Sequence, residues 1–293
     1  MTRAYWPLLG LLAAVWGASY LFIKVAVDEL EPTVMMFFRL VVAASLLLAF
    51  VAHLGALRDV ARAWRAGLVL GVVNAALPFC LIAWGEQYVD SGVAAIANAT
   101  VPLFNALLVI RFLPSERLSA TRLAGVLLGL AGVAVLTGGQ PSAGGWWAVA
   151  GTLAVVVASL SYAAGGVYGQ LRVRATAGPV LAAASMTGGA LVLLPFALLQ
   201  LPHELPSREA IGSVLALAVL GTALAQLVVY RMLRLHGSSR FSLVTYLLPP
   251  VALFYGAVLL DEPLRPEALA GLVLILAGVA VGSGKMRRRP QHA

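Results

Sequence analysis

The sequence predicts an all-α integral membrane protein, with ten transmembrane helices arranged as two five-helix inverted-topology repeats around a central cavity. Three observations predict this. Of 293 residues, 61% are hydrophobic and only 11% charged, too few charges to cover a water-facing surface. The apolar residues fall in blocks of about 20, the length that crosses a hydrocarbon core about 30 Å thick. And one apolar phrase is written twice: residues 123–135 and 269–281 are identical at ten of thirteen positions, at an offset of 146.

Helices are predicted because broken backbone cannot face lipid, and the alternating ten-residue strands of a membrane barrel are absent. The spans fall at 5–27, 33–54, 66–85, 91–112, 121–138, 146–169, 179–201, 210–230, 239–260 and 266–284. Pro32, Pro114, Pro179, Pro206, Pro263 and Pro266 punctuate their ends. The first block follows Arg3 but is too long for a signal-peptide core and lacks a small-residue cleavage site, so it reads as a retained span. Cys80 is the single cysteine. It lies in an apolar block as an inert thiol, and no intramolecular disulfide can form.

Charge sets the orientation. When loops are assigned alternately to two sides, one side receives sixteen basic residues, from Arg3 through Arg58, Arg111, Arg172 and Arg231 to the terminal run Lys285, Arg287, Arg288 and Arg289. The other receives Arg208 and Arg265, with ten of the twelve acidic residues. Basic loops stay in the cytoplasm, which puts both termini there. The net charge of +8 is thereby a topology signal, not a nucleic-acid footprint. The terminal basic run reads as a topology anchor.

The repeated phrase lies in spans 5 and 10. Five is odd, so the second copy runs the opposite way through the bilayer. Other pairs join it: Glu116-Arg117-Leu118 with Glu262-Pro263-Leu264, Pro102 with Pro250, Ser91 with Ser239, and Ser19-Tyr20 with Ser161-Tyr162. The expected layout is a first repeat over 1–138, a periplasmic linker over 139–145, a second repeat over 146–284 and a basic cytoplasmic tail over 285–293. Inverted repeats are a hallmark of secondary transporters, in which each half can adopt the other's shape around a central site.

The segments "AVWGASYLFIKVAVDELEPTVMMFFRLVVA" (14–43), "LAGVLLGLAGVAVL" (123–136) and "LDEPLRPEALAGLVLILAGVAV" (260–281) resemble the EamA-type transporters of the drug/metabolite transporter superfamily. The resemblance covers essentially the whole chain, including the five-plus-five duplication. It implies a ten-helix inner-membrane carrier of small metabolites, in a family whose members include amino-acid exporters.

Polar groups at membrane depth are costly and mark pathways. The substrate-binding candidates are Trp16, Ser19 and Tyr20 in span 1, Arg39 in span 2, Asn74 and Pro78 in span 3, Asn98 and Asn105 in span 4, Tyr162 in span 6, Gln226 and Tyr230 in span 8, and Tyr246 in span 9. Most follow helical spacing, and proline frees carbonyls that can coordinate a ligand. Each candidate has a bland reading as an interhelical hydrogen bond worth about 0.6 kcal/mol. Arg39 has two readings: a cation for a substrate carboxylate, or a side chain that snorkels to Asp28, Glu29 or Glu31. Lys24 reads as snorkelling, and Glu86 as an ion-pair partner for one of these bases. Spans 5 and 10 carry glycines in place of polar groups. They read as scaffold, packed outside the cavity or against a second subunit as a homodimer.

No Asp or Glu falls in the middle third of a span. That argues against a proton-coupled carrier of cationic drugs and for neutral, zwitterionic or anionic cargo, whose aromatic groups could stack on Trp16 and the tyrosines. The function expected is therefore export of small metabolites, amino acids first, by alternating access without ion coupling. Proton-driven drug efflux is the alternative. An intramembrane enzyme would need clustered catalytic groups, yet His53, His203, His236 and His292 all lie in or beside loops. A channel is the remaining reading. No P-loop is present, and no metal or cofactor is expected. Eighteen arginines to two lysines suggest a high-GC bacterium, hence the cytoplasmic membrane.

Overall fold

The computed structural model describes residues 5–112, 120–138, 145–236, 241 and 243–282. Most of these are helical, with no strand among them. In order they are α1 (Tyr5–Val27), α2 (Pro32–His53), the short α3 (Leu57–Arg62), α4 (Trp64–Gly71), α5 (Leu77–Glu86), α6 (Ser91–Asn98), α7 (Val101–Phe112), α8 (Ala120–Gly138), α9 (Gly145–Arg172), α10 (Gly178–Leu199), α11 (Arg208–Ala218), α12 (Ala225–His236), α13 (Val244–Leu259) and α14 (Pro266–Gly282). Wider π turns join α4 to α5 (Val72–Ala76) and α11 to α12 (Val219–Leu224). A helix stands at each predicted span. Seven segments are long and apolar enough to cross a membrane: Tyr5–Val27, Pro32–His53, Trp64–Glu86, Ser91–Phe112, Gly145–Arg172, Gly178–Leu199 and Arg208–His236. Three shorter apolar helices accompany them, at Leu123–Thr137, Val244–Leu259 and Pro266–Val281. Large apolar side chains such as Trp146, Leu191, Phe254 and Val273 face outward, as suits a lipid-facing surface.

The breaks inside spans have local causes. In the α4–α5 π turn the Leu77 N–H bonds to Val72 O, five residues back. In that register the Val73 carbonyl would next receive an N–H from residue 78, which is proline and has none. Ser161 Oγ of α9 donates to that carbonyl instead, at 2.7 Å. Pro102, in the first turn of α7, likewise cannot donate back to the Asn98 carbonyl, and the helix breaks at Ala99–Thr100.

Glycine seams fix which helices touch. The two copies of the repeated phrase pack on each other and run antiparallel. A Cβ on Gly278 would lie 2.6 Å from Gly125 O, and one on Gly132 would lie 2.9 Å from Gly271 O. Val126, Val133, Leu136 and Ile275 are buried in α8 and α14. Spans 5 and 10 are thus scaffold for each other. A second pair of contacts, Gly85 with Gly151, brings α5 within backbone contact of α9.

The loops 28–31, 87–90, 200–207 and 260–265 meet at one end of the bundle. Glu29 accepts from the Ser207 N–H at 2.7 Å, and Thr33 donates to the Gln200 side chain. Arg265 lies 3.7 Å from Asp90. Glu262 accepts from Ser91 N–H and Oγ, both at 2.8 Å, and from Gly92 N–H at 3.3 Å. It thereby satisfies the free N–H groups at the start of α6. Asp261 takes a left-handed backbone (φ 54°), and the Glu262 N–H returns to Gly256 O at 3.0 Å, which turns the carboxylate over α6. The twin motif at Glu116 and the partner Ser239 lie outside the described residues, as do Arg3 and the terminal basic run.

Seam and surface make opposite predictions. Gly278→Val should lower the melting temperature in detergent sharply, because overpacking against backbone costs about 1–3 kcal/mol. Gly10→Ala meets nothing within 4 Å and should be neutral or stabilising by about 0.5–1 kcal/mol, since alanine is the better helix former.

Candidate functional site

A cavity of about 380 Å³ opens among the helices, lined from α1, α2, α5, α6, α7, α9, α12, α13 and the two π turns. That size suits a small metabolite. Eight of the twelve predicted residues line it: Trp16, Ser19, Tyr20, Arg39, Asn74, Asn98, Tyr162 and Gln226. Thr222, Thr245, Gly221 and the apolar residues Ile23, Phe79, Ile82, Ala99, Val101, Val229, Phe241, Val244, Leu248 and Pro249 complete the wall.

Arg39 is the electrostatic centre. It is 5% exposed, its Nε donates to Thr222 Oγ1 at 2.9 Å, and its guanidinium carbon sits 3.9 Å over the Phe79 ring. Nη1 has only the Met36 sulfur at 3.7 Å, and among the described residues no carboxylate pairs with it. The snorkelling alternative is therefore not what the structure shows. Glu29, one of the acids offered for it, is engaged with Ser207 instead. Thr222 is held in turn: its hydroxyl donates to Leu217 O at 2.9 Å, five residues back in the π turn. Nearby, Trp16 Nε1 donates to Gly221 O at 3.2 Å, and Asn98 Nδ2 donates to Tyr20 Oη at 2.7 Å. Ser159 Oγ lies 3.1 Å from Asn98 Oδ1 and fixes the amide from α9.

Four predicted residues stand elsewhere, each for a geometric reason. Pro78 is buried behind the wall. The π turn carries one extra residue, so the face that begins at Asn74 continues at Phe79, not Pro78, and the carbonyl that Pro78 frees is taken by Ser161. Asn105 follows the break at Ala99–Thr100, which takes α7 out of the α6 stripe, and its amide oxygen faces Gly166. Tyr230 lies one residue past the face that Val229 occupies, and packs on Gly178. Tyr246 is half-buried, outside the wall that Thr245 and Leu248 line. Phe79 and Phe241 had no polar signal in the sequence. For Phe79 the signal available was Pro78, which sets the π register.

Lys24 does not snorkel. Its ammonium donates to the carbonyls of Glu86 at 2.6 Å and Val89 at 3.0 Å, capping the end of α5 as a cation does at a helix C-terminus. Glu86 forms no ion pair with it. That side chain is 0% exposed, and neither carboxyl oxygen has a hydrogen-bond partner. The sequence places no acid in the middle of a span, yet the fold completely buries one at a span end.

A family model for the EamA-like transporter family matches residues 4–138 and again 149–283. The chain belongs to this family. The inner membrane transporter YedA of Escherichia coli K12 is 30% identical over 97% of this chain and 93% of its own length. A probable terminal-alkyne amino-acid exporter of Streptantibioticus cattleyicolor is 32% identical over 100% and 97%. A probable amino-acid metabolite efflux pump of Salmonella typhimurium is 28% identical over 92% of each chain. A crystal structure aligns over 98% of this chain and 100% of its own, with a TM-score of 0.69 at 19% identity, a likeness of fold. This EamA-like chain is thus a multi-pass membrane transporter, not an enzyme, with a small molecule as its cargo.

Two measurements probe this geometry. Thr222→Val removes the acceptor from Arg39 Nε and should destabilise the protein by about 1–3 kcal/mol, the cost of an unsatisfied buried donor, seen as a lower melting temperature; Thr222→Ser should retain most of it. The Ser207 hydroxyl and N–H hold the Glu29 carboxyl below the usual carboxylate range. The Glu29–Ser207 clasp should therefore persist through mildly acidic pH and release only as pH falls through that lowered value. A spin label at Leu205 would gain mobility there, and Ser207→Ala should move the release to higher pH.

Proposed function

We propose that this EamA-like transporter exports small zwitterionic metabolites, amino acids with apolar or aromatic side chains above all, by alternating access and without a coupling ion. The reading rests on Arg39, a buried guanidinium in the cavity wall with no acidic partner among the described residues. A buried cation calls for an anion, and a substrate carboxylate fits the two-pronged N–H geometry of guanidinium. The hydroxyls of Tyr20 and Tyr162 and the amide oxygen of Gln226 offer acceptors for an ammonium group. The apolar wall from Phe79 to Leu248 receives a side chain. The names given to the Salmonella and Streptantibioticus relatives, a probable amino-acid metabolite efflux pump and a probable terminal-alkyne amino-acid exporter, agree with this.

In this reading the ten helical segments form ten crossings in two antiparallel repeats. The antiparallel contact of α8 with α14 supports it, and so do the π turns at Val72 and Val219, which fall 147 residues apart and close to the offset of the repeated phrase. The acid-rich loops gathered at one end mark the periplasmic side. Both termini are then cytoplasmic, in the inner membrane of a bacterium. The alternative of cationic-drug efflux loses ground here: among the described residues no carboxylate lines the cavity, and the buried charge that does, Arg39, repels cations.

In proteoliposomes with no ion gradient, a labelled amino acid with an apolar side chain should move down its own gradient and show counterflow. Arg39→Met should weaken its apparent affinity at least tenfold, since losing a charge-assisted pair costs about 1.5–3 kcal/mol. Competition by the corresponding amino-acid amide, which has no carboxylate, should be weak and should not change in the variant. Transport of toxic cations abolished by a protonophore would establish drug efflux instead.

A further inference from the structure

We propose that Glu86 is a proton-binding site that latches the outer end of the bundle: the closed arrangement holds Glu86 as the neutral acid, and opening this end to water releases the proton.

The argument begins with what surrounds the side chain. Glu86 ends α5 with no exposed surface and with both carboxyl oxygens unpartnered. An ionised carboxylate in that state carries a desolvation cost of several kcal/mol unless a cation faces it directly. Lys24 of α1 is the natural candidate, but its ammonium is engaged by the Glu86 and Val89 carbonyls. Arg39 of α2 is held by Thr222 and Phe79. Glu262 brings a second carboxylate to the same end, itself satisfied by the three donors at the start of α6. Tyr20 of α1 is the remaining titratable group on this side, and its hydroxyl is already bonded to Asn98. Asp90, in the following loop, faces Arg265. Helix α9 meets this turn with Gly151 and Val155, which carry no charge. The neutral acid is therefore the form that this packing accommodates.

The position of Glu86 gives the proton a role. It lies among the contacts that close the acid-rich end, not in the wall of the cavity. Separating the 87–90 and 260–265 segments would admit water to it, and the solvated carboxyl would ionise. The carboxylate could then draw Lys24 off the α5 carbonyls and hold the end open. Proton release and uptake occur on one side, so the site gates the cycle without driving transport. It is a latch whose closed fraction falls as outer pH rises.

This rests on the alternating-access reading, but its test needs no substrate. In the full chain with Cys80→Ala, spin labels at Gln87 and Leu264, both exposed, report the separation of the two segments in lipid nanodiscs. The short distance should dominate at acid pH. Its ratio to the long distance should fall about tenfold per pH unit once the carboxyl titrates, the slope for one proton. Glu86→Gln, which mimics the neutral acid, should stay closed at every pH. The infrared spectrum of the unlabelled parent should carry a protonated-carboxyl band that vanishes on opening and shifts in Glu86→Asp, a readout that survives if the glutamine variant folds poorly. A pH-independent distance in the parent, an unaltered pH response in Glu86→Gln, or a band unaffected by Glu86→Asp would each overturn the proposal. Failure of amino-acid transport with the distance response intact would overturn the proposed function and leave the latch standing.

Discussion

Lipid offers no hydrogen bonds, so the polar groups freed at each helix break must find partners within the protein. In this chain that constraint builds the cavity. The N–H missing at Pro78 leaves Val73 O to Ser161, which ties α9 to the α4–α5 π turn. The widened turn at Val219–Leu224 places the Thr222 hydroxyl between Leu217 O and the Arg39 guanidinium, which ties α2 to α11. Asn98, the last residue before the break at Ala99, is fixed between Tyr20 and Ser159. The three interruptions therefore do two things at once: they break the helices beside the cavity, and they orient polar groups that face it.

Glycine supplies the complementary rule. Where helices carry no polar partners they close to backbone distance, as at Gly278 with Gly125 and Gly85 with Gly151. Small residues make such contacts selective, because a single added carbon meets a carbonyl. The molecule is thus divided between tight seams that hold helices rigidly and open, hydroxyl-bridged regions that position side chains. A rocking motion would use the seams as rigid units and break the longer-range polar contacts at the loops, among them Glu29 with Ser207 and Glu262 with Ser91.

Much of this was legible in the sequence, and the misses share one cause. Block length, prolines and charge placed a helix at every span, and the Trp16–Ser19–Tyr20 face reached the cavity as its spacing implied. Helical spacing fails beyond an interruption. Asn105 lies past the Ala99–Thr100 break, and Tyr230 past the Val219–Leu224 turn. Pro78 gives way to Phe79 because a π turn advances the face by one residue. A periodicity of 3.6 read straight through such a point assigns the wrong side of the helix. Lys24 and Glu86 were misread differently. Near a span end the sequence suggests water, while the fold supplies carbonyls for one and complete burial for the other.

The placement of charge gives the last step. A carrier that binds a zwitterion needs a cation where the substrate sits and must not fill that place with its own carboxylate, because an internal ion pair would compete with the cargo. The buried acid Glu86 lies at the end of α5, outside the residues that line the cavity. Its field is quenched if it is neutral. Arg39 then keeps its charge unshared, held only by a hydroxyl and an aromatic face, both weaker partners than a carboxylate. Under the proposed function and the proposed latch, Arg39 recognises the substrate while Glu86 responds to pH, and a neutral Glu86 leaves the Arg39 charge unaltered. Moving an acid from the gate into the wall would couple the two and exchange a neutral carrier for one that binds protons and cargo in competition.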